Sequence, residues 1–534
     1  MSDIALYDTT LRDGTQYEGI SLSVKDKIAI TQKLDELGIH YIEGGWPGSN
    51  PKDEEFFEII RDVELKTATM VAFGSTRKAN IAASEDLNLK ALLDANTSVI
   101  TLVGKCWDLH VTRVLETSLE ENLSMISDSI SYLKQQGRRV FFDAEHFFDG
   151  FKENPEYALQ AIKAAEIGGA ECVILCDTNG GGLPSTVSKV MQQVKEELSV
   201  PLGIHTHNDA DMAVSTALAA VGAGATQVQG TINGYGERCG NANLISLIAN
   251  LKLKMGIDCI SDDQLGQLTN ISKYVAELAN MPHITSQPYV GTSAFAHKGG
   301  LHASAVTKVE QSYQHVSPQT LGNEKRVLVS ELSGRGNILW KIQELGLDSK
   351  ITKSMAVALV EEIKQRENQG FQYEGAEASF ELLVRRMEED YLPPFVLEDF
   401  MSIVERKRSK EKEDNLSSQV MLKVRVNEEI LHTASEGNGP VNALDNALRK
   451  ALFQFYPSLS VVRLVDYKVR VVDQNNSTGA IVRVLIESTD GESTWSTIGA
   501  SENVIEASWL ALSDSLEYWL VRNRNQIISI SNTV

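Results

Sequence analysis

The stretch "GIHTHNDADMA" begins at Gly203 and sets His205 two residues before His207, in a chain of 534 residues that has ten histidines. Residues i and i+2 of a strand face the same side. If a strand ends here, both imidazoles aim at one point, where they either bind an ion together or hydrogen-bond to neighbours. Other residues of metal-site chemistry stand far away in sequence. Arg12 and Asp13 follow the apolar run "IALYD", and Asn241 lies in "NGYGERCGNANL". Two imidazole nitrogens with the oxygens of Asp13 and Asn241 suit a divalent ion such as Mn²⁺, Mg²⁺, Co²⁺ or Zn²⁺. Such a set leaves room for a 2-oxo acid to chelate through its ketone and one carboxylate oxygen. Arg12, beside Asp13, supplies a guanidinium fork for the carboxylate or a developing alkoxide.

These residues meet only if the fold gathers strand ends on one rim. Eight short apolar runs, starting near Ile4, His40, Thr67, Thr97, Arg139, Cys172, Leu202 and Ala225, alternate with amphipathic helical patterns. Eight strand–helix units in about 250 residues match a closed (β/α)8 TIM barrel, with its active site at the C-terminal strand ends. An open doubly wound sheet would call for fewer strands and a Gly-rich first loop, which "YDTTLRDG" is not. The fold class is therefore α/β: a TIM barrel, then small linker subdomains, then a C-terminal α+β domain. The expected domains are 1–275 (catalytic barrel), 276–400 (linker subdomains) and 401–534 (regulatory and dimerisation domain). The charged segment "VERKRSKEKEDNLSSQ" from Val404 reads as a flexible boundary.

The rim rule extends the candidate set. The fifth run delivers Glu145 and His146, the sixth Asp177 and Thr178, and the loop after the eighth Glu237. Glu145, flanked by aromatics in "FFDAEHFFDG", reads as a proton handler or orienter or as an ordinary loop acid, and the neighbouring His146 is an alternative in either role. Glu43 and Asp177 read as carboxylates that orient Arg12 or the histidines. Past the barrel, the glycines of "KGGLHASA" permit a close approach of His302 to the site.

Lys+Arg number 50 against Asp+Glu 72, a net charge of −22. Without a basic block this argues against nucleic acid as a partner. Five scattered cysteines read as reduced thiols, and no run reaches eighteen apolar residues. The opening "MSDIALYDTT" lacks the pattern of a signal peptide. A cytoplasmic location is expected.

"YDTTLRDGTQ", "IHTHND" and "NGYGERCGNANL" together resemble the signatures of the isopropylmalate synthase superfamily of metal-dependent acyltransferases and lyases. "GGWPGSNPKD" and "FFDAEHFFDGFKENPEYA" are most similar to its citramalate-forming branch. The resemblance implies an acyltransferase that condenses pyruvate with acetyl-CoA. Isopropylmalate or homocitrate formation from a larger 2-oxo acid is the alternative, and a non-catalytic metal-binding regulator a remote one. It implies Asp13, His205, His207 and Asn241 as metal ligands, Arg12 as oxyanion and keto-acid contact, and Gln16 as a polar pocket residue. It also implies Thr178 as a contact for the substrate carboxylate, and Glu145, His302 and Tyr313 as the proton-handling set. A homodimer is implied too, with isoleucine as an effector of the C-terminal domain, whose turn "EGNGPVNAL" leads into a helix N-terminus.

Overall fold

The computed structural model describes residues 4–347, 351–407, 415–472 and 479–524. The chain divides into two compact units, one of Met1–Phe295 with His315–Lys325, the other of Ala296–Gln314 with Arg326–Val534.

The first unit is a closed barrel of eight parallel strands in chain order: β1 (Ala5–Asp8), β2 (Tyr41–Gly45), β3 (Thr69–Ser75), β4 (Val99–Lys105), β5 (Arg139–Glu145), β6 (Cys172–Asp177), β7 (Leu202–Thr206) and β8 (Gln227–Gly230). Closure comes from β1 pairing with β8, in the register Ala5↔Gln227 to Asp8↔Gly230. Helices on the outside cover the strands, which explains why the strands are apolar on both faces. Tyr7, Val71, Val99, Phe141 and Ile174 fill the barrel interior.

Local chemistry sets where the helices begin and end. Ser23 and Asp26 form a reciprocal capping box at the start of the helix Val24–Leu37. That helix, Pro155–Gly168 and Ala213–Ala223 each stop at a left-handed glycine (Gly38, Gly169 and Gly224), as the "ELGI", "EIGGA" and "AVGAGA" endings predict. None of the five cysteines is in a disulfide; four are buried and Cys239 is exposed. Among the described residues no helix is long and apolar enough to cross a membrane.

In the second unit a short pair, β9 (Ala296–His297) with β10 (Arg326–Val327), flanks the helix Gly300–Lys308. Two helices, Lys353–Asn368 and Glu377–Arg385, come before the C-terminal sheets. Two antiparallel sheets follow: β11 (Val396–Lys407), β12 (Asn415–Val426) and β13 (Glu429–Gly437), then β14 (Arg463–Val471), β15 (Val482–Thr489) and β16 (Thr494–Ser501). Each sheet is followed by a helix packed on it, Pro440–Leu452 and Val504–Arg522 respectively. The α+β domain is thus a βββα arrangement made twice. Part of the expected flexible boundary, 408–414, lies outside the described residues.

Asp35 ties the first helix to the segment entering β3. Its carboxylate accepts the backbone N–H groups of Lys66 (2.9 Å), Thr67 (2.8 Å) and Ala68 (2.7 Å). Burial pushes its pKa up, but these three donors outweigh burial and hold it below the usual carboxylate range. A folded-state pKa below the unfolded value stabilises the fold above the unfolded pKa, and that contribution is lost as pH falls through the folded value. Asp35→Asn is expected to cost about 1–2 kcal/mol at pH 7. In urea melts, the gap between wild type and variant should close as pH is lowered from about 5 toward the folded-state value; a gap independent of pH would contradict this assignment.

Candidate metal centre and active site

Asp13 leaves β1 at the start of a short turn, Gly14–Gln16, while His205 lies in β7 and His207 just beyond it. Barrel closure brings them together. Asp13 Oδ2 is 3.3 Å from His205 Nε2 and 4.0 Å from His207 Nε2, and the two Nε2 atoms are 3.2 Å apart. Asn241 donates its Nδ2 to Asp13 Oδ2 at 2.8 Å, and its backbone bridges to that of His207. Among the described residues this is the only buried trio of His, Cys, Asp or Glu whose ligand atoms converge so closely.

The donor set fits a divalent cation. His205 Nδ1 lies 2.8 Å from Gln229 Oε1, and Gln229 Nε2 donates to Asp143 Oδ1 at 3.0 Å. That donation turns the amide oxygen of Gln229 toward His205. An amide oxygen only accepts, so Nδ1 carries a proton and Nε2 is the nitrogen turned to Asp13. Burial lowers the pKa of His205, but Asp13 outweighs it and raises it above the ordinary imidazole range, so a cation at Nε2 would take the place of a proton there. Asn241 Oδ1 and His207 Nδ1 are buried without a hydrogen-bond partner among the described residues. Burial first, and then the neighbouring His205, push His207 down to about 3, so its ring is neutral. Burial raises Asp13, but Arg12 and the histidines outweigh it and hold the carboxyl well below its ordinary range. An anionic oxygen, two imidazole nitrogens and a spare amide oxygen in a buried pocket are the ligand chemistry of a divalent ion.

The loop that delivers Asn241 needs its glycines. Gly236 has φ of +158°, and a Cβ there would lie 2.0 Å from Asn241 Oδ1; Gly240 has φ of +89°. Both are backbone conformations that side chains seldom adopt.

A cavity of about 500 Å³ opens on this cluster, and Arg12, Asp13, Gln16, Glu145, Thr178, His205 and His207 all line it. Arg12 is fixed from behind: its Nε donates to Glu43 Oε1 at 2.6 Å, and its guanidinium carbon lies 3.9 Å from the centre of the Phe73 ring. Glu43 in turn accepts the Tyr7 hydroxyl at 2.6 Å. The η nitrogens of Arg12 are left for Asp13 and the cavity, with Nη1 3.7 Å from Asp13 Oδ2. Thr178 Oγ1 accepts the backbone N–H of His146 at 2.9 Å, so its own hydroxyl proton is available to an anionic ligand. His146 adopts φ of +54° to make that contact, and its ring pairs with Asp149 at 3.1 Å. Glu145 forms an ion pair with Lys105.

His302 and Tyr313 come together in the second unit, where their rings stack at 4.2 Å. His302 is exposed and Tyr313 half-exposed. The motif neighbours Asn208 and Asp209 bind the helix start and Arg238, respectively. Sequence reasoning missed Gln229, Asp143 and Lys105. Each carried a signal: Asp143 stands two residues before Glu145 on β5, Gln229 is polar inside the last barrel strand, and Lys105 ends β4.

Replacing Gln229 with Leu removes the group that fixes the His205 tautomer. Mn²⁺ affinity, measured calorimetrically, is expected to fall by about 10–100-fold, with the fold intact by circular dichroism. Unchanged affinity would detach Gln229 from the metal site.

Family models match the chain in three consecutive parts: HMGL-like over residues 3–275, homocitrate synthase post-HMGL domain-like over 289–370, and the LeuA allosteric (dimerisation) domain over 374–520. The (R)-citramalate synthase of Geobacter sulfurreducens is 54% identical over 520 residues, covering 97% of this chain and 98% of that protein. That of Aquifex aeolicus is 51% identical over 528 residues, covering 98% and 99%. The 2-isopropylmalate synthase of Methanocaldococcus jannaschii is 30% identical over 522 residues, covering 97% and 95%. With its barrel, its buried cation-binding cluster and near-full-length identity above one half, the chain belongs to the (R)-citramalate synthase family of HMGL-like enzymes.

Proposed function

We propose that this chain condenses pyruvate with acetyl-CoA and hydrolyses the resulting thioester, releasing citramalate and CoA, as a cytoplasmic homodimer. The observation that carries this reading is the 54% identity, over 97% of the chain, to a protein named for that product, against 30% to an isopropylmalate synthase.

Asp13, His205, His207 and Asn241 hold the divalent ion. A bound ion supplies Lewis-acid polarisation of a ketone oxygen. Thr178 and Gln16 grip the substrate carboxylate, and Arg12 donates to the ketone oxygen as charge develops there. Because Glu43 and Phe73 fix Arg12 beforehand, little reorganisation accompanies that step. Glu145, His302 and Tyr313 are the groups that handle protons, first at the acetyl methyl and then at the water that cleaves the thioester. The labour divides between a catalytic barrel, linker subdomains that carry His302 and Tyr313, and a C-terminal regulatory domain, whose first strand β11 starts at Val396, ahead of the expected boundary at 401. Release of thiol is expected to be fastest with pyruvate, by at least about 10-fold in kcat/KM over 2-oxoisovalerate or 2-oxoglutarate. Thiol release with either larger acid and none with pyruvate would overturn the assignment.

Homodimerisation through the C-terminal domain is supported by an exposed apolar sheet face. Met401 pairs with Met421 across β11 and β12, two residues from Ile403, and the three are 55%, 48% and 44% exposed. The opposite face of β12, with Val420, Leu422 and Val424, is buried. An apolar patch of this kind marks an interaction surface, and the family match here is to a dimerisation domain. Met401→Lys combined with Ile403→Lys is expected to shift the sedimenting species from dimer to monomer. The same variant should weaken inhibition by isoleucine, the end-product effector assigned to this domain. A variant that stays dimeric and fully inhibited would exclude this face.

A further inference from the structure

The condensation places negative charge on two oxygens in turn. One is the ketone oxygen, served by Arg12 and by the cation that Asp13, His205, His207 and Asn241 would hold. The other is the thioester oxygen of acetyl-CoA, which takes up charge when the methyl group loses its proton. Nothing described so far serves that second oxygen.

The cations lining the cavity are few. Arg12 is committed to Glu43 and the ketone side. Arg77 is consumed by Glu121 and Asp128. Lys78 belongs to the loop after β3. Lys105 is different. It ends β4, in register with Glu145 at the end of β5, and the two side chains form an ion pair with 23% of each exposed. Both line the cavity that holds Asp13, His205 and His207. The Lys105 carbonyl is fixed by Asn122 Nδ2 at 2.9 Å, which steadies the strand end that carries the ammonium. An ammonium has three N–H donors, and Glu145 takes one.

We infer that Lys105 and Glu145 act as a pair on the acetyl group, with Glu145 as the base for the methyl proton and Lys105 as the donor to the thioester oxygen. This rests on the acetyl-CoA condensation proposed above. Methyl carbon and carbonyl oxygen sit on the same carbonyl carbon, so the groups that serve them must be neighbours. Of the cavity's cations, Lys105 is the one paired with the candidate base. In the step, a C–H bond of the methyl group breaks and an O–H bond forms on Glu145. The electron pair moves into a C=C bond, and the thioester oxygen becomes the enolate oxygen held by Lys105. Attack on the ketone carbon forms the C–C bond, moves the ketone π pair onto its oxygen beside Arg12, where a proton then completes the hydroxyl, and restores the thioester C=O, so Lys105 lets go. Before substrate arrives, the ion pair holds both side chains in place.

The test uses the full-length enzyme with acetyl-CoA and whichever 2-oxo acid the wild type turns over. A wild type that condenses none of them overturns the proposed function and, with it, this inference; where the wild type does condense one, the variants below test the inference alone. Lys105→Met is expected to lower kcat by about 100-fold or more, with KM for the oxo acid and Mn²⁺ affinity within about threefold. Lys105→Arg, which keeps a cationic donor, should recover most of the rate. The deuterium isotope effect on kcat/KM from methyl-deuterated acetyl-CoA should increase in Lys105→Met, because proton removal becomes limiting. Lys105→Met combined with Glu145→Gln should be slower than Glu145→Gln alone. Should Lys105→Met fail to fold, Lys105→Gln carries the same expectations. A loss under threefold, a loss confined to KM, or a double variant no slower than Glu145→Gln would overturn the role.

Discussion

The rim is organised around one electrostatic constraint. Asp13, His205 and His207 converge their ligand atoms at one buried point, with the buried amide of Asn241 against Asp13. Such a concentration is tolerable when a cation shares it. The groups behind the pocket maintain that arrangement. Asp143 orients Gln229, Gln229 fixes the proton of His205, and the glycines of the loop after β8 let Asn241 approach. Glu43 performs the parallel service for Arg12, drawing its ε nitrogen back so that the rest of the fork faces the cavity.

The chain carries a net charge of −22, yet its cavity is lined by Arg12, Arg77, Lys78 and Lys105 and is built for anionic substrates. The two facts are compatible because surface charge is screened within roughly 10 Å at 0.1 M salt. Charges inside a walled cavity act at close range in a lower dielectric. The acidic exterior thus says little about what binds, and the few cations that line the cavity say much more.

The barrel was legible because parallel strands covered on both sides are short continuous apolar runs, and each is followed by a helix that stops at glycine. The ligand set was legible because the strand-end rule turns sequence position into rim position. The residues behind the ligands were harder to see. Gln229 and Asp143 are polar groups buried inside strands, and only the closed barrel reveals that they touch. Lys105 looked like an ordinary strand-end lysine until its register with Glu145 was known. In the second unit, β11 escaped detection because a bulge between Leu397 and Asp399 breaks its alternation, and its highly charged end reads as a linker. His302 and Tyr313 are 11 residues apart in sequence, and their ring stacking has no periodicity to betray it.

The pairing of β1 with β8 also has a consequence for synthesis. Ala5 meets Gln227, so the first strand made waits for the last before the barrel closes. At about 5–20 residues per second, a ribosome needs on the order of 10–45 s to make the intervening chain. For that interval the outer edge of β1 is an unpaired strand edge, and the apolar runs already made have no closed interior to fill. Closure of the barrel in the nascent chain therefore waits until residue 230 has left the exit tunnel.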